Sequence, residues 1–181
     1  VILEDYGKGA LTQSVVNTVL AAALRRGIPV GLDPKPGHAL RLAGLTVATP
    51  NRKEAFALAG APETRPAADP LRDRPLLQVG ATLLRLWDAR LLVITLGAQG
   101  MLLLSSGQPP RHVPTRAREV FDVSGAGDTA IAACVTALAA GASFVEAAEL
   151  ANYAAGVVVG KLGTATCSPR ELLWQIRRQG G

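Results

Sequence analysis

One segment of the chain joins a glycine-rich turn to an acidic residue at the start of an apolar helix, and it runs Asp122-Val-Ser-Gly-Ala-Gly-Asp128-Thr129. Gly125, Ala126 and Gly127 have little or no side chain, so their backbone N–H groups can approach an anion closely. The following helix adds the positive end of its dipole at the same place. A carboxylate there is repelled by phosphate unless it has a chemical role, and kinases use an aspartate to accept the proton of the attacking hydroxyl. Asp128 therefore indicates phosphoryl transfer to an alcohol.

The same residues have a structural alternative. A tight strand-to-helix turn also favours glycine, and Asp128 is then simply a favourable acidic residue in the first helical turn. Two common nucleotide-binding motifs are excluded: no Gly-Lys-Ser/Thr follows the glycines, and G-x-G-x-x-G is absent here. The choice between catalytic and structural interpretations depends on the rest of the chain.

Composition limits the classes of function. The chain has 181 residues, of which 49% are hydrophobic and 18% charged, so we expect one ordered globular domain. Its net charge is +5, but the arginines are scattered, without a dense basic tract or interleaved aromatic residues. This distribution argues against nucleic-acid binding. A mild positive field suits anionic small molecules such as nucleotides and sugar phosphates, although an arginine-rich proteome explains it equally well.

The cysteines and the apolar runs indicate the cellular compartment and whether the chain crosses a membrane. Cys134 and Cys167 are far apart and lack metal-ligand spacing, which fits a reduced, cytoplasmic setting. The chain opens on Val1-Ile-Leu-Glu-Asp5, without the basic region of a signal peptide. No run approaches about 18 uninterrupted apolar residues, so no membrane span is expected.

Apolar runs and helical periodicity alternate along the chain, which predicts an α/β fold with a mostly parallel sheet covered by helices. Strands are predicted at Val1–Asp5, Ile28–Asp33, Leu45–Ala48, Leu91–Leu96, Met101–Ser105, Arg111–Val113 and Glu119–Phe121. Helices are predicted at Gln13–Arg26, His38–Ala43, Asn51–Leu58, Leu76–Trp87, Ala126–Ala140, Phe144–Leu162 and Pro169–Arg178. The stretch Gly60–Pro75 is predicted to be a surface connection.

Polar residues follow four of the predicted strands. In open α/β sheets, ligands bind beyond the carboxyl ends of the strands, and those ends meet at one edge. The residues concerned are Asp5, Tyr6, Lys8, Asp33, Lys35, Asn51, Glu54, Thr95 and Gly97. Four such groups beside the glycine turn favour a ligand site at this edge.

With these residues assembled, the chain resembles the ribokinase/PfkB family of sugar kinases over essentially its whole length. The resemblance rests on Asp-x-x-Gly-Ala-Gly-Asp at 122–128, Asp-Pro-Lys at 33–35 and Asn-x-x-Glu at 51–54. Tyr-x-Lys-Gly at 6–9 and Val-Gly-Lys-Leu-Gly-Thr at 159–164 resemble the branch that phosphorylates heptose 7-phosphate. The resemblance implies a ribokinase-like three-layer sandwich. Since Val1 already lies in a predicted strand, we expect 1–181 to be one partial domain, the C-terminal portion without its N-terminal part and lid.

The resemblance also implies roles for the motif residues. Asp128 would be the general base, and Gly125, Ala126 and Gly127 the anion hole for the transferring phosphoryl group. Glu54, with Asn51, would help to hold Mg²⁺ and the nucleotide phosphates, largely through water. The structural alternative for this pair is a helix N-cap and its capping-box partner.

Further positions follow the same family pattern. The nucleotide-binding set would comprise Asn51, Arg52, Lys53, Glu54, Thr95, Gly97, Gly100 and Asn152. For Thr95 and the two glycines the alternative is a plain strand turn, and for Asn152 a hydrogen-bonded core residue. The phosphate or substrate side would comprise Asp5, Lys8, Asp33 and Lys35, although lysines at strand ends are often merely solvated. Asp122 and Ser124 match positions that many members use for a monovalent cation such as K⁺.

Three functions remain open from the sequence. The first is ATP-dependent phosphorylation of the C1 hydroxyl of heptose 7-phosphate by a homodimeric enzyme. The second is another kinase of the family, acting on ribose, fructose or a phosphosugar. The third is a non-catalytic nucleotide-binding fragment. The partners expected in each case are small molecules, with neither nucleic acid nor membrane involved.

Overall fold

The computed structural model describes residues 1–38, 40–117 and 120–179. Over these residues, six strands form one sheet in chain order. The strands are β1 (Ile2–Glu4), β2 (Gly31–Asp33), β3 (Val47–Ala48), β4 (Leu91–Thr95), β5 (Met101–Leu104) and β6 (Arg111–Val113). The helices are α1 (Gln13–Arg25), α2 (Arg52–Leu58), α3 (Arg74–Leu86), α4 (Ala126–Ala139), α5 (Phe144–Val159) and α6 (Pro169–Gln179).

Strands β1 to β4 are parallel, and β5 and β6 continue the sheet in antiparallel register. Leu3 pairs with Leu32, and Val47 pairs with Leu91, so the carboxyl ends of β1 to β4 lie side by side. The sheet is extended at this edge by an isolated parallel bridge between Asn51 and Thr95. The topology therefore places all four groups of polar residues along one edge, as predicted.

Both faces of the sheet are covered by helices. Leu92 and Ile94 of β4 belong to a core with α1, α2 and α3, whereas Leu91 and Val93 belong to a second core with α4 and α5. This alternation follows from the two-residue period of a strand, and the near-continuous apolar sequence reflects burial on both faces. The predicted three-layer α/β fold is confirmed.

Polar residues fix where several helices begin. Asn51 and Ser143 form capping boxes at the starts of α2 and α5, and Asp73 caps α3 through the N–H of Leu76. Ser168 and Glu171 exchange the same pair of hydrogen bonds at the start of α6. No helix within the described ranges is both long and apolar enough to cross a bilayer.

Most predicted elements are found within three residues of their predicted bounds, but three predictions need correction. Within the predicted helix His38–Ala43, the described residues are not helical, since this short segment turns back to pair His38 with Asp5. Of the predicted strand Glu119–Phe121, the first residue lies outside the described ranges and the other two are not in the sheet. The connection Gly60–Pro75 is more ordered than expected, with a 3₁₀ turn at Pro70–Arg72 and a buried Asp73.

Candidate functional site

The glycine turn ends directly in α4. Gly125 is the N-cap residue with a left-handed backbone (φ +74°), a conformation that glycine adopts without the steric cost of a side chain. Gly127 is exposed, and no atom lies within 4 Å of where its Cβ would be. Ala126 turns its N–H back to the Val123 carbonyl at 3.2 Å. The open space at this helix start suits an anion.

Asp128 lies in the first turn of α4 and faces the carboxyl edge of the sheet. Its Oδ2 accepts a hydrogen bond from the hydroxyl of Tyr6 at 2.9 Å. That hydrogen bond, and the negative charge of Asp128, raise the pKa of Tyr6 to about 12. The proposed base is therefore partly covered by a neutral phenol from the turn after β1.

Further carboxylates surround this position. Burial, followed by the charges of Glu54, Asp128 and Glu4, raises the pKa of Asp33 to about 7. Burial and then the charge of Asp128 also raise the pKa of Glu4. Acidic groups from β1, β2, α2 and α4 thus converge, and a bound cation would relieve their mutual repulsion.

A contact between the buried Asp5 and the partly exposed His38 holds the turn after β1. Asp5 is only 7% exposed, its Oδ1 accepts the N–H of Gly7 at 2.8 Å, and its Oδ2 lies 2.6 Å from Nδ1 of His38. Asp5 is therefore occupied within the protein rather than directed at a substrate. Lys8 is exposed on the same turn.

The Asn51–Glu54 pair forms the capping box named as its structural alternative. Oδ1 of Asn51 accepts the N–H of Glu54, and Oε2 of Glu54 accepts the N–H of Asn51, both at 2.9 Å. The other oxygen of Glu54, Oε1, lies 3.8 Å from Nζ of Lys35. Capping does not exclude a ligand role, because Glu54 keeps one oxygen directed toward the cluster.

Two further members of the predicted nucleotide-binding set, Arg52 and Lys53, lie in the first turn of α2. The guanidinium of Arg52 donates to Asp73 at 2.8 Å and to the Thr64 carbonyl at 3.1 Å, and it stacks on the ring of Phe56. Arg52 therefore binds α2 to the connection that leads into α3. Lys53 is exposed on α2.

The last residue of β4, Thr95, lies beside Asn51, and its N–H donates to the Pro50 carbonyl at 3.0 Å. Gly97 has a left-handed backbone (φ +57°) and is exposed. Gly100 is buried, and a Cβ there would lie 2.2 Å from the carbonyl oxygen of Val113. Its requirement for glycine comes from packing, whereas Thr95 and Gly97 remain placed for a ligand.

Asn152 lies within α5, where it is 4% exposed. Its Nδ2 donates to the carbonyl of Pro114 at 2.6 Å, so it satisfies a backbone acceptor of the segment that crosses this helix. The structure thus shows the core hydrogen bond of the alternative interpretation.

Asp122 and Ser124 form the predicted monovalent cation position. The two oxygens of Asp122 accept the N–H groups of Ser124 at 2.9 Å and Gly163 at 3.1 Å, and hydrogen bonding, with Ser124 the main donor, lowers the pKa of Asp122. The carboxylate therefore ties the glycine turn to the loop after α5. Lys161 fixes that loop in turn, through Glu171 at 2.6 Å and the Thr166 carbonyl at 2.7 Å.

Within residues 1–38, 40–117 and 120–179, no three or more histidine, cysteine, aspartate or glutamate side chains are grouped so as to hold a metal ion. The donors available for Mg²⁺ are single carboxylates, chiefly Glu54. Mg²⁺ is commonly bound by one or two carboxylates together with substrate phosphates and water, so these residues fit that ion.

Three residues in or beside the turn after β1 received no role from the sequence. Tyr6 was identified at a strand end without a function, and Glu4 lies one residue before that end. His38 was placed in a helix, and its partner is 33 residues away in the sequence. The order of strands in the sheet, rather than any local motif, joins these residues to the site.

Comparison with known proteins gives matches over nearly the whole chain. The model of the pfkB family carbohydrate kinases matches residues 6–171. A protein named bifunctional protein HldE from Geobacter sulfurreducens is 46% identical over 100% of this chain and 36% of its own length. The protein of that name from Photorhabdus laumondii is 48% identical over 97% of this chain and 35% of its own length. The chain thus spans about a third of these relatives.

Solved structures share the fold. Arabidopsis thaliana ribokinase complexed with ribose and ATP has a TM-score of 0.78 at 24% identity, covering 97% of this chain and 55% of that one. Escherichia coli phosphofructokinase-2 in complex with potassium has a TM-score of 0.81 at 22% identity, covering 99% and 57%.

Proposed function

Because the chain belongs to the pfkB family of carbohydrate kinases, we propose that it is the catalytic part of an ATP-dependent sugar kinase. The acceptor is the C1 hydroxyl of D-glycero-β-D-manno-heptose 7-phosphate, and the product is the 1,7-bisphosphate. The position of Asp128 carries the proposal: it begins the helix that follows the glycine turn, at the sheet edge where Asp33 and Glu54 also lie. The choice of heptose rests on the stretches at 6–9 and 159–164.

The proposed chemistry uses few groups. Asp128 accepts the proton of the sugar hydroxyl as that oxygen attacks the γ-phosphorus of ATP, and the bond from phosphorus to the β-phosphate oxygen breaks. The N–H groups at the start of α4 stabilise the charge on the transferring phosphoryl oxygens. Glu54 would help to hold Mg²⁺, which would supply positive charge to neutralise the phosphates.

The nucleotide side is supported by the loop Thr95–Gly97, which borders Asn51 at the same sheet edge. Lys35 and Lys8 supply positive charge on the sugar side. Arg52, Gly100 and Asn152 have structural roles, because their contacts are with other parts of the protein. A K⁺ ion beside Asp122 and Ser124, a homodimeric assembly and a cytoplasmic location remain predictions of the family resemblance and composition.

The test is phosphoryl transfer by the protein at its full natural length, with ATP and Mg²⁺, against heptose 7-phosphate, ribose, fructose and fructose 6-phosphate. We expect selective conversion of the heptose 7-phosphate to its 1,7-bisphosphate. Selective activity on another sugar would contradict the substrate while keeping the chemistry. Nucleotide binding without transfer to any acceptor would contradict the kinase function and favour a binding role.

A further inference from the structure

The turn after β1 carries a side chain that reaches the proposed base from a distant part of the sequence. The Tyr6 hydroxyl donates to Oδ2 of Asp128 at 2.9 Å, across 122 positions of the chain. The Tyr6 side chain is not held by burial, because the residue is 59% exposed. The phenol is therefore oriented by its hydroxyl, which contacts Asp128 and also interacts with Glu4.

The backbone of the turn that carries Tyr6 is held by the residues on either side of Tyr6. Asp5, directly before Tyr6, is buried and binds the N–H of Gly7 and the ring of His38. Gly7 has a left-handed backbone (φ +64°), which lets the chain reverse immediately after the tyrosine. A buried carboxylate on one side and a glycine on the other hold the backbone of Tyr6 in place beneath α4.

We propose that Tyr6 is a positioning residue for the phosphoryl transfer: its hydroxyl holds Oδ2 of Asp128, so that Oδ1 is presented to the acceptor hydroxyl. The contact between Asp5 and His38 holds the turn that carries Tyr6, so that the phenol reaches Asp128. This inference rests on the proposed function, since it assigns a partner to the same base.

The charges around Asp128 give this hydrogen bond a second effect. Glu4 from β1 and Asp33 from β2 face Asp128 with negative charge, and Glu54 from α2 adds to the field at Asp33. Because the phenol stays neutral through the physiological range, Tyr6 donates a hydrogen bond to Asp128 without adding negative charge to this acidic edge.

The kinetic test compares wild type with Tyr6→Phe in the full-length protein. A hydrogen bond to a charged group corresponds to a loss of roughly tenfold to a hundredfold in kcat, with the KM for sugar within about twofold. A purely structural role would lower the fraction of protein that binds nucleotide and leave kcat per nucleotide-binding site unchanged. Thr18→Ala, which removes an exposed hydroxyl on α1, is the matched control and should leave both quantities unchanged.

A second measurement does not depend on turnover. The difference in tyrosinate absorbance between wild type and Tyr6→Phe reports the ionisation of Tyr6, and it is repeated in an Asp128→Ala background. At about pH 10.5 we expect Tyr6 to be mostly neutral beside Asp128 and more ionised without it, because Asp128 is the largest cause of its raised pKa.

The outcomes separate the inference from the proposed function. An active wild type with unchanged kcat per nucleotide-binding site in Tyr6→Phe would overturn the role of Tyr6 alone. Equal ionisation of Tyr6 in both backgrounds would overturn the contact itself. A wild type that binds nucleotide and phosphorylates no sugar, even with the expected shift in tyrosine ionisation, would overturn the proposed function and with it this role.

Discussion

Gly97 and Gly100 lie three residues apart in the loop after β4, yet different physical requirements select glycine at the two positions. Both have positive φ, +57° and +87°. A Cβ at Gly97 would meet no atom within 4 Å, whereas one at Gly100 would lie 2.2 Å from the Val113 carbonyl oxygen and 2.5 Å from the Thr115 nitrogen. Only Gly100 is fixed by close backbone packing as well as by conformation.

We therefore expect Gly100→Ala to reduce the free energy of unfolding more than Gly97→Ala does. The left-handed conformation alone costs an alanine about 1–2 kcal/mol, and overpacking against rigid backbone adds roughly 1–3 kcal/mol at Gly100. Urea unfolding of both variants measures the difference. Equal losses would show that packing against Val113 is not what requires the glycine.

Asp33 predicts a pH dependence of stability. Burial and neighbouring carboxylates raise its pKa in the folded state to about 7, from an ordinary value of 3.8. Between these values the folded chain binds more protons than the unfolded chain, so stability falls as pH rises. The contribution is fully present below about pH 4 and is lost as pH rises through about 7.

Asp33→Asn should flatten this dependence, because the amide does not titrate. The measurement is the free energy of unfolding at several pH values between about 4 and 8, without divalent cations. Glu149→Gln on α5 serves as a control that removes a carboxylate away from the cluster. If Asp33→Asn and wild type lose stability equally over this range, Asp33 is not the group responsible.

At the scale of elements, the start of α3 depends on one buried carboxylate. Oδ1 of Asp73 accepts the N–H of Leu76 at 3.1 Å, and Oδ2 accepts from Arg52 at 2.8 Å and from the N–H of Ala67 at 3.3 Å. Burial opposes the charge of Asp73, but these hydrogen bonds outweigh it and lower its pKa. The same side chain thus caps α3 and attaches α2 to the connection before it.

Asp73→Ala should cost about 2–4 kcal/mol, because it removes the cap and leaves the nearly buried guanidinium of Arg52 with only the more distant carboxylate of Glu63, at 3.8 Å. Asp73→Asn should cost less, since asparagine caps a helix as well as aspartate does. Thermal or urea unfolding of the two variants measures this. A loss in Asp73→Ala below about 1 kcal/mol would contradict the structural role assigned to Arg52.

Local patterns predicted most elements. Strands buried on both faces appear as continuous apolar runs, and the helices other than α4 begin at residues with capping side chains. The segment around His38 could not be predicted, because the carboxylate that holds it lies on another strand. The order in the connection 60–73 likewise depends on the Arg52–Asp73 ion pair, whose partners are 21 residues apart.

At the scale of the whole molecule, the parallel order of β1 to β4 is what assembles the site. The family was predicted from its motifs and is confirmed, and the topology brings Asp33, Glu54 and Asp128 to one edge as the strand ends predicted. Contacts between residues that are distant in the sequence were not predictable. Such contacts hold Arg52, Gly100 and Asn152 inside the fold, and they place Tyr6 beside Asp128.

Asp128→Asn tests whether Asp128 is the base of a sugar kinase. The substitution keeps the size of the side chain and removes its ability to accept a proton. In the full-length protein we expect kcat for the sugar to fall by about a hundredfold to ten-thousandfold, with nucleotide binding by calorimetry changed little. Turnover within a few fold of wild type in this variant would contradict the account.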